Sequence, residues 1–209
     1  MTGRRALDLG VVIAVTVTMG LPAGSCQVAT GGSRQEAKSR SGRNLVPVES
    51  AKDVLQRAAK SAKESDKRLF VLVGASYCAP CKEFWRDLQQ KPIWPIIDRN
   101  YIVVHLTGFE LQDAKHLENE GTVEFVRKWT GVSYPGIPYY AVLDTDLNWL
   151  DDSMYRTKRS QWNASGLTSQ QGDRMRAVLE KTAPRITKAD LADLERWMRN
   201  PYTYKSDGG

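Results

Sequence analysis

The stretch from Lys67 to Asp87, KRLFVLVGASYCAPCKEFWRD, constrains the fold more than any other part of the chain. It opens on a short apolar run, Leu69 to Val73, of the length and β-rich type that predicts a buried strand. Gly74, Ala75 and Ser76 then break the pattern with small residues. Cys78-Ala79-Pro80-Cys81 follows. Helix formers come next, with Phe84, Trp85 and Leu88 on one face, and predict a helix from about 79 to 90. A pair of cysteines therefore sits where a strand hands over to a helix.

That placement has a chemical consequence. A helix N-terminus offers unpaired N–H groups and the positive end of the helix dipole. A thiolate there is favoured over a thiol, so the cysteine titrates below its free value. Cys78 is nearest the open end and is expected to gain most and to be the more exposed. Cys81 lies one turn further in, and residues three apart on a helix face the same way, so the two sulfurs can bond. Pro80 suits a first turn, where its missing N–H has no helical partner.

These residues resemble the thioredoxin superfamily, and closely its exported thioredoxin-like members. Ser76-Tyr77-Cys78-Ala79-Pro80-Cys81-Lys82 matches the family pattern W-C-G-P-C-K, with Tyr77 in place of Trp and Ala79 in place of Gly. Gly136-Ile137-Pro138 precedes the apolar run Tyr139 to Leu143, as the family's cis-proline loop precedes its next strand. The resemblance covers residues 47–182. It implies an α/β thioredoxin fold: a central mixed β-sheet flanked by helices, here with an extra C-terminal helix. It implies dithiol–disulfide exchange by Cys78 and Cys81 with no cofactor. It implies a cis peptide at Pro138 facing the motif, with the backbone of Ile137 pairing with an extended substrate and Tyr77 shaping the docking surface.

One position departs from the family. Thioredoxins carry a buried Asp on the strand before the motif, six residues ahead of the first Cys; here Leu72 stands there. Deprotonation of Cys81 then falls to water or another group, of which Glu83 is a candidate. Pro80 before the second Cys and Ile137 before the cis-proline resemble reducing members. The resemblance thus implies a protein-disulfide reductase fed by a membrane electron donor. Two readings from other classes stay open: a thioredoxin-fold module that binds a partner by strand addition, and a metal-handling protein. For a metal site, the motif lacks companions: the chain has two histidines, His105 and His116, and neither makes a spaced pair with it.

The N-terminus reads as an export signal, residues 1–25. Arg4 and Arg5 form a positive start, Leu9 to Leu21 is uncharged and largely apolar, and Ala23, Gly24 and Ser25 are small. The run is shorter than the ~20 residues that a transmembrane helix needs. Ala23-Gly24-Ser25-Cys26 also resembles a bacterial lipoprotein signal, in which Cys26 would carry the lipid; ordinary cleavage nearby is the alternative. Residues 26–46 are rich in Gly, Ser, Arg and Lys and read as a flexible linker. The expected location is the periplasm or cell envelope, with a lipid anchor as one option.

The rest of the chain supplies elements. Helices are predicted at 50–67, 122–129 and 169–181, and from a cap at Thr187 through Met198. Strands are predicted at 101–106 and 139–143, with a partner strand at 149–155. Pro92 and Pro95 predict a loop, and Arg156 to Gly166 a long polar connection. The thioredoxin-like domain is bounded at 47–182, and 183–209 is a helical extension and tail. Asn163-Ala164-Ser165 is a glycosylation acceptor only in a eukaryotic host. The formal charge of +6 is modest and its lysines and arginines are scattered, with a cluster in the 34–68 region, and there is no basic–aromatic interleaving, so nucleic acid is not an expected partner. A monomer acting on disulfide-containing exported proteins is the expected form.

Overall fold

The computed structural model describes residues 48–199, apart from Arg159 and Thr168. The expected export signal, Cys26, the linker and the tail after residue 200 lie outside the described residues.

The sheet is built on β1 (Arg68–Gly74), whose interior five residues are all buried. Both faces of this strand are covered, which is why it reads as a continuous apolar run rather than an alternation. It pairs in parallel with β2 (Tyr101–Thr107) and antiparallel with β3 (Tyr139–Leu143), and β3 pairs antiparallel with β4 (Trp149–Asp152). The order β2-β1-β3-β4 makes a mixed four-stranded sheet.

Alternate residues send side chains to opposite faces. Leu69, Val71 and Val73 pack with Ala51, Leu55, Ala59 and Ala62 of α1 (Ala51–Glu64) and with Val126 of α4 (Thr122–Thr130). Ser50 caps α1 by accepting the Asp53 N–H at 3.2 Å. Gly131 ends α4 in the left-handed region at φ 76°, which a residue without Cβ adopts freely.

Phe70 and Leu72 face the other way, onto α2 (Ala79–Leu88), α3 (Ile93–Asn100), α5 (Ser169–Thr182) and α6 (Lys188–Arg199). Phe70 stacks on Tyr140 at 5.2 Å and Tyr140 on Phe84 at 5.8 Å, so one aromatic column fastens α2 to the sheet. Each such pair contributes roughly 0.5–1.5 kcal/mol beyond area burial. The extension past residue 182 shares this core: Leu194, Trp197 and Met198 of α6 are buried within it. A Cβ on Gly172 of α5 would meet the Leu167 carbonyl oxygen at 2.8 Å and Met198 Cγ at 3.1 Å. The missing side chain is what lets these segments close on one another.

Two expectations change. The expected loop at Pro92 and Pro95 is α3. Pro92 is its cap and Pro95 lies in its first turn, where N–H groups have no helical acceptor, so the prolines start the helix instead of breaking it. The single strand expected over 149–155 is divided at Ser153. There the Ser153 N–H donates to the Tyr140 carbonyl (2.9 Å) while the Ser153 carbonyl accepts from Ala164 (2.8 Å), tying two sheets at one residue. Beyond it, β5 (Met154–Arg156) pairs with β6 (Gln161–Asn163), so part of the expected polar connection is a hairpin. Buried Asp152 holds the corner. It accepts from the Met154 N–H at 2.9 Å and takes both arms of Arg156, at 2.6 and 2.7 Å.

Candidate active site

β1 delivers the chain to Gly74, and a tight turn follows in which the Cys78 N–H donates to the Ala75 carbonyl at 3.0 Å. Cys78 is the N-cap of α2, with Ala79, Pro80 and Cys81 filling the first turn. Its Sγ accepts the Cys81 N–H at 3.1 Å, so a sulfur does the work a serine oxygen does at other caps. The two cysteines are joined as a disulfide, their Cα atoms 5.3 Å apart. A Cβ on Gly74 would lie 3.1 Å from Cys81 Sγ and 3.2 Å from Cys81 Cβ. The bare backbone at the end of β1 is the seat of Cys81.

The expected exposures are reversed. Cys78 is 4% exposed, while Cys81 is half-buried. The cap geometry explains this: Cys78 Sγ is turned back over the helix terminus toward the Cys81 N–H instead of outward.

The turn before the motif is clamped by a residue the sequence pattern does not single out. Glu110, 4% exposed, accepts both the Ser76 N–H and the Ser76 hydroxyl, the latter at 2.9 Å. The Glu110 N–H is itself held by Glu118, which pairs with Lys115. Tyr77 is exposed, and its hydroxyl donates to the Phe109 carbonyl at 3.1 Å. Phe109 takes a positive φ of 60° and meets Tyr134 edge-on at 5.1 Å. An aromatic rim of Tyr77, Phe109 and Tyr134 thus stands beside the motif.

The Ile137–Pro138 peptide is cis, as is Lys91–Pro92. Pro138 lines two hollows around α2. One, of about 180 Å³, it shares with Gly74, Cys81, Lys82, Trp85 and His105. The other, of about 550 Å³, it shares with Pro80, Glu83, Arg86, Gly166 and Trp197. Pro138 and the cysteine motif therefore frame common space, with half-buried Ile137 next to it. Asn163, which the sequence offers only as a glycosylation acceptor, braces this loop. Its Nδ2 donates to the carbonyls of Gly136 (3.0 Å) and Pro138 (2.7 Å).

Leu72 is buried where the family's acid would stand, and it lines the smaller hollow. Glu83, a candidate substitute beside water, opens onto the larger groove, on the Pro80 side, and is absent from the hollow beside Cys81. The Cys81 side holds His105 instead, which sits opposite Leu72 in the β1–β2 register. His105 is exposed to solvent, and the partial burial of its ring lowers its pKa below the usual imidazole value. A cysteine pair at a helix terminus beside a cis-proline loop can exchange thiols for disulfides.

A family model described as thioredoxin-like matches residues 50–145, from the cap of α1 to the turn after β3. This segment is a thioredoxin-like domain. The match ends before β4, so the corner at Ser153, the β5–β6 hairpin, α5 and α6 lie beyond it. Among solved structures, the chain is similar to a disulphide isomerase from Xylella fastidiosa Temecula1, with 18% identity, over 51% of this chain and 78% of that one, at a TM-score of 0.39. It is also similar to a DsbH oxidoreductase, with 14% identity, over 72% of this chain and 95% of that one, at a TM-score of 0.37. No curated protein matches the chain. The thioredoxin-like domain thus supplies Cys78, Cys81 and Pro138, and the later segment supplies Asn163 and Trp197 around them.

Proposed function

We propose that the protein is a thiol–disulfide oxidoreductase that reduces disulfides of exported proteins. The observation that carries this reading is the Cys78–Cys81 disulfide at the first turn of α2, framed by the cis Pro138 loop. In the reduced protein, the Cys78 thiolate attacks one sulfur of a substrate disulfide. A Cys78–substrate S–S bond forms, the substrate's own S–S bond breaks, and the departing sulfur takes up a proton. Cys81 then loses its proton and attacks Cys78 Sγ. The intramolecular disulfide closes and the second substrate sulfur leaves as a thiolate, which is protonated in turn. Two electrons pass to the substrate. A dithiol donor, proposed to be a membrane partner, returns the pair to the reduced state.

Ile137 and Pro138 are proposed to receive the substrate as an extended segment, with Tyr77 at its flank. Export is supported by the charged-then-apolar pattern of residues 1–25, and a lipid on Cys26 by the small residues before it. Among the described residues, no helix is long and apolar enough to cross a membrane.

The test is reduction of insulin disulfides with dithiothreitol as donor, run beside Cys78→Ser. Acceleration by the wild type, lost in the variant, supports the reading. No acceleration, together with stoichiometric oxidation of a reduced peptide, would reverse the direction. Function that survives Cys78→Ser would make the protein a binding module. The intact mass of membrane-extracted protein tests the lipid.

A further inference from the structure

In the proposed exchange, Cys81 attacks as a thiolate, so its proton needs an acceptor. A free thiol, with pKa about 8.5, is mostly protonated at pH 7. Cys81 borders the hollow of about 180 Å³ between β1, β2 and α2. Most of its wall is apolar: Leu72 and Val73 from β1, Phe84 and Trp85 from α2, and Pro138 from the loop. Besides Cys81, the titratable groups on that wall are Lys82 and His105. A lysine ammonium has no lone pair to offer. An uncharged imidazole does, on one ring nitrogen.

His105 is placed there by strand alternation. Tyr101 and Val103 of β2 point into the core under α2 and α3, and His105 continues the same face where that core opens to solvent. It is a polar residue in an apolar row. The Trp85 ring meets it edge-on at 4.4 Å, which fixes the imidazole plane beside the cysteine helix. β1 contributes no charge to this hollow, and Lys82 of α2 is its one formal charge. His105 is exposed at the end of this row, and the partial burial of its ring lowers its pKa, which favours the neutral form.

We propose that His105 is the proton acceptor for Cys81, taking the Sγ proton across the shared hollow, directly or through water, as Cys81 attacks Cys78. The assignment rests on the exchange reaction proposed above. In the step, the Cys81 S–H bond breaks and an imidazole N–H forms. The Cys78–Cys81 bond forms as the Cys78–substrate bond breaks, and the imidazolium then returns its proton to solvent or to the departing thiolate. The charge left on His105 also stabilises the thiolate while it exists.

The test is a stopped-flow reaction of the reduced, donor-free protein with the aromatic disulfide 5,5′-dithiobis(2-nitrobenzoate). The first equivalent of chromophore reports attack by Cys78 and the second reports attack by Cys81. In His105→Gln the first equivalent is expected at the wild-type rate. The second should fall about a hundredfold at pH 7, the low end of what general-base loss costs. Its pH profile should move toward that of a free thiol, which a packing role would not produce. Added imidazole should speed the second equivalent in His105→Ala, which has room for it. A second equivalent unchanged in rate and in pH profile would overturn the role of His105 alone. Absence of the first equivalent in the wild type would overturn the exchange reading itself.

Discussion

Gly74→Ala probes the seat of the redox pair. The added methyl would lie 3.1 Å from Cys81 Sγ and 3.2 Å from its Cβ, tighter than carbon contacts normally allow, so the cysteine must yield by a few tenths of an ångström. Overpacking of this kind costs about 1–3 kcal/mol. Alanine in place of glycine also removes unfolded-state freedom, which offsets roughly 0.4–1 kcal/mol. The oxidised protein should therefore lose about 1–2 kcal/mol net. The reduced protein should lose less, because Cys81 is then free of its bond to Cys78 and can turn away. That difference acts on the redox equilibrium: about 1.4 kcal/mol corresponds to 30 mV for a two-electron couple. The pair should become more oxidising, by at most about 20–40 mV. Urea unfolding of both redox forms gives the stabilities, and equilibration against glutathione gives the potential. Equal loss in the two forms with no change in potential would refute the claim that Gly74 supports the disulfide specifically.

Three further outcomes are expected. Glu110→Ala strips the Ser76 N–H and hydroxyl of their acceptor; it should cost about 1–3 kcal/mol in urea unfolding, whereas a loss below a few tenths would mean the clamp is not needed. Asn163→Ala frees the carbonyls of Gly136 and Pro138; KM for a disulfide peptide should rise severalfold with the rate of Cys78 alkylation unchanged, and an unchanged KM would remove Asn163 from loop support. Asp151 is governed first by burial, which opposes its charge, but hydrogen bonds from Lys181 and the Asp152 N–H, with Arg174 beside it, bring its pKa below the usual carboxylate value. Its contribution to stability is therefore complete above the unfolded pKa of about 3.9 and is lost as pH falls through the lower folded value; Asp151→Asn should flatten the stability profile below pH 4, and an unaltered profile would show that the pair with Arg174 and Lys181 carries no net stability.

Local pattern was enough for the elements that build the domain. β1 is built on a five-residue apolar run bounded by a break, and α2 is a run of helix formers after a cap; neither needs distant information. The errors occur where one residue answers to two partners. Ser153 bonds both Tyr140 and Ala164, so a strand that periodicity reads as continuous is divided between two sheets. Pro92 and Pro95 break a helix in its interior and begin one in its first turn, and only the packing of Ile93, Ile96 and Ile97 under the sheet decides which applies. The same limit governs the site. Cys78 and Cys81 are neighbours in sequence, and their meeting is a property of one helical turn. Glu110 reaches Ser76 from 34 positions away, and Asn163 reaches Pro138 from 25, so no spacing rule finds them. His105 is the intermediate case. Once β2 is paired with β1 in register, Leu72 and His105 are adjacent, and a histidine continues the row of Tyr101 and Val103 where that face opens to solvent. That polar residue was present in the letters. It became chemistry only when the register brought it to the hollow that Cys81 borders, and it is there that the missing carboxylate at Leu72 finds its substitute.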